Sequence, residues 1–170
     1  MGVVALGEGG TQGLPGEEDL AAYWHLLQQE YRASRAAPLS MRRALLVTAL
    51  LNNLPDRVFE AERSRISALD GAEDLPAYRA LLRSRSAALG TISDVANQQA
   101  NGPRLELTQV SVPLEAVGTL AVEDFMVSLY NDHKVQRVVI ATAEGTHALA
   151  HEVFAEAIAW WTSELERIQA

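Results

Sequence analysis

Apolar residues recur at helical spacing along three stretches of the chain, and the pattern changes character near residue 100. In EEDLAAYWHLLQQEYRASRAA, Leu20, Tyr23, Trp24, Leu27 and Tyr31 fall on one face, with acids in the first turn where the helix dipole favours them. A helix is predicted there, with His25 off the apolar stripe as a half-exposed surface residue. After PLS, the segment MRRALLVTALLNNL is apolar on nearly every side, which predicts a central, buried helix. Pro55 disfavours the helical conformation at Leu54, so a kink or break is expected, with Asn53 capping a restart that runs to Gly71. A third long helix is predicted from an Asp74 cap through Tyr78, Leu82, Leu89, Ile92 and Val95 to NGP at 101–103.

Beyond that point the period shortens. RLELTQVSVP is rich in strand formers and VQRVVIAT is the best strand in the chain, with a short helix predicted in AVEDFMVSLYNDH between them. The spacing suits a right-handed β-α-β crossover, with an antiparallel pairing as the alternative. From Thr146 onward the pattern is helical again. The fold class expected is α+β: an N-terminal bundle of three to four helices followed by a β-α-β-α segment with a small sheet. Two strands make a marginal sheet, so a third is expected from 113–120 or from a partner chain.

Composition refines this picture. Six of the eleven glycines lie in residues 1–16, which lack apolar periodicity and read as a flexible tail ahead of one globular domain, 17–170. There is no cysteine, which excludes disulfides, thiolate metal sites and cysteine nucleophiles. The opening residues lack a basic n-region, and no apolar run approaches the roughly 20 residues of a membrane span, so a cytoplasmic protein with no membrane partner is expected. Arginine outnumbers lysine 13 to 1, a bias that resembles coding in a GC-rich bacterial genome. The net charge of −8 argues against nucleic acid as a partner. It is uneven: residues 1–30 hold five acids and no base, 31–100 ten arginines against seven acids, and 101–170 four bases against ten acids.

Two constellations are candidates for chemistry. His147 and His151 extend the stripe of Phe154, Ile158, Trp161, Leu165 and Ile168 on the predicted last helix, which favours packing. As a metal pair for a divalent ion they need a further ligand, with Asp132 and His133 nearest; His133, His147 and His151 together would make a metal-assisted hydrolase. Ala148 stands where the HExxH motif has its glutamate, so that motif is absent. The second constellation is LLNNLPDR. Asn52, Asn53, Asp56 and Arg57 interrupt the most apolar helix, either as caps and one internal network or as a pocket for a small anionic ligand with Arg57 supplying the charge. No dinucleotide, P-loop, nucleophile-elbow or di-iron motif is present. The expectation is therefore a non-catalytic binding or interaction protein without a cofactor. A homodimer is expected from the incomplete sheet and from the apolar breadth of a last helix bearing Trp160 and Trp161.

Overall fold

The computed structural model describes residues 17–98, 100–111, 134–142 and 144–170. The tail 1–16, the helix expected within 121–133, the strand considered at 113–120 and His133 lie outside them. The fold is α+β, with five helices and a three-stranded antiparallel sheet among the described residues. Helix α1 spans Glu17–Arg35, α2 Met41–Asp70, α3 Leu75–Arg85 and α4 Ala87–Ala96; strands β1 (Arg104–Ser111), β2 (Lys134–Ala141) and β3 (His147–Leu149) follow, and α5 spans Ala150–Gln169. None of these helices is long and apolar enough to cross a membrane.

Helix α2 is the spine. Ser40 caps it by accepting from the Arg43 amide at 3.3 Å, and Gly71 ends it at φ 67°, a left-handed conformation that glycine adopts without a Cβ penalty. The break expected at Pro55 does not occur. Pro55 is buried within helical backbone, and the kink falls instead at Glu62, at φ −120° and ψ 22°. Packing of Leu51, Leu54, Val58 and Phe59 against the core holds both sides of the proline in register, so no Asn53 cap forms. Nor is the helix buried all round, since Leu45 and Leu46 are 51% and 42% exposed.

The third predicted helix is in fact two. Ser86 adopts an extended conformation, its amide closing α3 onto the Leu82 carbonyl and its hydroxyl accepting from the Leu89 amide to start α4. A serine that bonds the backbone locally competes with the helical ladder, and here the competition wins. Asp74 caps α3 as expected, accepting from Ala77 N at 2.8 Å.

The sheet order is β1-β2-β3, and both pairings are antiparallel, so the parallel crossover is not formed. β1 pairs with β2 from Arg104↔Ala141 to Ser111↔Lys134. The third strand is His147–Leu149, a stretch whose sequence reads as the start of the last helix. Its residues pair with β2 at Ala141↔His147 and Val139↔Leu149, across a turn in which Gly145 takes φ 80°. Sheet pairing satisfies backbone groups that a first helical turn would leave open, so the helix begins three residues later than His147. Val138 and Ile140 face the helices, where Leu27, Leu51, Leu54, Ile92, Phe154 and Trp161 form the centre of the core. Trp160 is half-buried against the same core and meets Trp161 edge-on at 5.2 Å. Both tryptophans thus touch the core of their own chain.

An ion-pair network ties the end of α2 to α5. Asp70 accepts from Arg85 at 2.8 Å and from Arg167 at 2.6 Å. Arg167 also grips Glu164 through two hydrogen bonds of 2.9 and 2.7 Å.

Candidate functional site

The structure does not bring the two described histidines of the metal reading together. His147 lies on β3, on the sheet face shared with Val139 and Glu106, and its Nε2 stands 3.3 Å from Glu106 Oε1. His151 lies on the first turn of α5, on the opposite, helix-packed side, beside Val138 and Phe154. The sheet separates them because His147 belongs to a strand and not to the helix. Among the described residues no three His, Asp or Glu side chains converge as a metal group would require. His25 is exposed and bonds Gln29 at 2.8 Å.

The LLNNLPDR residues also part company. Arg57 turns to Asp19 at 3.2 Å and lies over the Tyr23 ring, while Asp56 takes its hydrogen bond from Arg79 Nε at 2.9 Å. Arg79 further donates to the Asn52 carbonyl at 3.0 Å, in the turn where proline weakens the helical ladder. The single Asp56–Arg57 network is therefore replaced by two pairs to other helices. Asn53 is exposed. Asn52 does line a cavity of about 150 Å³ with Pro55, Arg79 and Arg83. Both arginines there are committed, Arg79 to Asp56 and Arg83 to Asp94 at 2.8 Å, so the cavity has little charge to offer an anion. Because Asp56 and Arg79 keep side-chain exposures of 44% and 29%, Asp56→Ala is expected to cost about 1 kcal/mol. Urea unfolding checks this, and a loss three times larger would place the pair in a buried network.

A different cavity is better furnished. It measures about 60 Å³ and lies where the end of α1, the start of α2, β2 and the start of α5 meet. Ser34, Arg35, Ser40 and His151 provide its polar lining, and Pro38, Ala44, Val138 and Phe154 are among its apolar walls. The Val138 amide anchors the α1–α2 connection by donating to the Pro38 carbonyl at 3.4 Å. Burial pushes the His151 imidazole below its ordinary pKa; Glu152 opposes this, and the charges of Arg137 and Arg35 reinforce it. This lowering favours the neutral imidazole, which has one ring N–H to donate. Sequence reading missed Ser34, Arg35 and Ser40, whose only signal is the PLS turn that folds the two helices back on one another.

A second feature is the open face of the α1–α2 hairpin. The helices run antiparallel, with Tyr23 Oη donating to the Leu50 carbonyl at 2.8 Å and Arg43 pairing with Glu30 at 3.6 Å. Leu27 and Val47 are fully buried, whereas Leu26 and Leu46, the residues before them, are 44% and 42% exposed. One residue back is a turn of about 100°, and in oppositely directed helices that turn leads to the same side of the pair. Leu26 and Leu46 therefore share one face, with Leu45 adjoining on α2.

Comparison with family models, curated proteins and solved structures finds no match to this chain.

Proposed function

We propose that this is a non-catalytic binding protein that acts as a homodimer, with the α1–α2 face as the contact between copies. The observation that carries this reading is the pairing of exposed Leu26 and Leu46 on one side of two antiparallel helices, extended by Leu45. Large aliphatic side chains left open on adjacent helices favour a helical partner, because burying each removes apolar surface worth about 1 kcal/mol or more from water. The rim suits a second copy in particular. Glu30, Arg42 and Arg43 line a shallow cleft beside Leu46, and a two-fold contact can exchange such opposite charges between subunits. Two hairpins meeting in this way form a four-helix bundle.

Sedimentation and light scattering at micromolar concentration test the proposal. A dimer is expected for the wild type, and Leu45→Glu with Leu46→Glu is expected to yield a folded monomer by circular dichroism. A wild-type monomer overturns the reading, as does a dimer indifferent to both substitutions.

A further inference from the structure

We propose that the cavity between α1, α2, β2 and α5 binds a small oxyanion: phosphate, sulfate, or the carboxylate or phosphoryl end of a larger metabolite. Four side chains line it with hydrogen-bond donors, and among the described residues none of the lining is acidic. Ser34 is only 9% exposed, and its hydroxyl has no hydrogen-bond partner among the described residues. The Ser34 hydroxyl opens onto the cavity and can donate to an acceptor that enters it. Arg35 has no carboxylate partner among the described residues and stacks over Tyr31 at 5.9 Å. The Ser40 hydroxyl accepts from the Arg43 amide and keeps its own proton to donate. The His151 ring likewise has no partner among the described residues.

The backbone adds to this. α5 has no side-chain cap at its start, and its first residues, Ala150 and His151, form part of the wall. Amides in a helical first turn lack internal acceptors and lie at the positive end of the helix dipole. Size sets the class of ligand. A water needs about 10–15 Å³ by the same measure, so 60 Å³ holds one oxyanion group and no more. Any larger metabolite must leave its body outside.

The test titrates inorganic phosphate, sulfate and acetate into the full chain at matched ionic strength, followed by calorimetry and by the ring resonances of the histidines. Saturable binding of at least one of these anions is expected, with His151 resonances moving while those of exposed His25 stay. Arg35→Gln is expected to weaken binding roughly tenfold, and Ser34→Ala somewhat less, as befits a lost charge-assisted and a lost neutral hydrogen bond. Arg63→Gln, a surface change elsewhere, should leave it unaltered. Absence of saturation up to about 10 mM of all three anions overturns the proposal. Equal affinity in Arg35→Gln and wild type, or no movement of the His151 ring, does so too. A monomeric result in the association experiment leaves this site untouched, so the two readings fail separately.

Discussion

Trp161→Ala is expected to cost about 3–5 kcal/mol of folding stability, the range for emptying a large aromatic site in a packed core. Trp161 is 0% exposed and sits among the residues that unite α5 with the other helices. The loss has two parts, the transfer of the indole to water and the cavity left behind, which a close-packed core fills only in part. Trp160→Ala supplies the comparison. Its half-buried ring rests on the rim of the core, so roughly 1–2 kcal/mol is expected. Trp161→Phe should fall between the two, because the indole N–H is buried without a partner among the described residues and nothing polar there is stranded when it goes. Urea unfolding of the three variants checks the order. Equal losses for both tryptophans would mean that their burial is not as different as the structure has it.

Arg167→Met is expected to cost about 3 kcal/mol or more, because it strands two carboxylates rather than one. The side chains of Asp70 and Glu164 are only 2% and 7% exposed, and Arg167 reaches both within 2.7 Å. Arg85 stays at 2.8 Å from Asp70 but stands 3.8 Å from Glu164, so it compensates incompletely. The pH dependence gives a second reading of the same network. Burial alone would raise the Asp70 carboxyl, but the hydrogen bonds and charges of Arg85 and Arg167 prevail and hold it below the usual carboxylate range. A lowered folded-state value makes its stabilisation complete above the unfolded value of about 3.9 and lost as the pH falls through the folded one. The gap between wild type and Arg167→Met should therefore narrow below about pH 4. A gap unchanged by acid would assign the loss to the arginine's aliphatic stem instead.

The α+β class was legible because long amphipathic stripes dominate the first hundred residues and strand formers then cluster on either side of the 112–133 region. Leu20, Leu27, Tyr78, Leu82, Phe154 and Trp161 all announce their buried faces by spacing alone. Local decisions were less visible. A lone serine is weak punctuation, and only the geometry at Ser86 shows its hydroxyl taking over the Leu89 amide. Three residues are too few to display a strand period, so His147–Leu149 borrowed the helical rhythm that follows. Charged partners were not legible at all. Asp56 and Arg57 are neighbours in sequence, yet Asp56 finds Arg79 and Arg57 finds Asp19, each fixed by how the helices pack. The donor-lined cavity has the same origin, since its polar residues come from α1, the turn before α2, and α5.

The bond between Arg167 and Asp70 spans 97 residues of chain, and this has a consequence for biosynthesis. Helices α1 to α4 and the sheet all leave the ribosome before α5. Until it follows, Leu54, Ile66, Tyr78 and Ile92 lack the Phe154, Trp161 and Ile168 side chains that share their core. At about 5–20 residues per second, the twenty residues of α5 take roughly one to four seconds to synthesise. Through that interval the nascent chain is a set of amphipathic helices without their common seal, exposed to holdase chaperones and to other copies on the same polysome. Completion of α5 is thus the step at which the emerging chain becomes able to bury its own core.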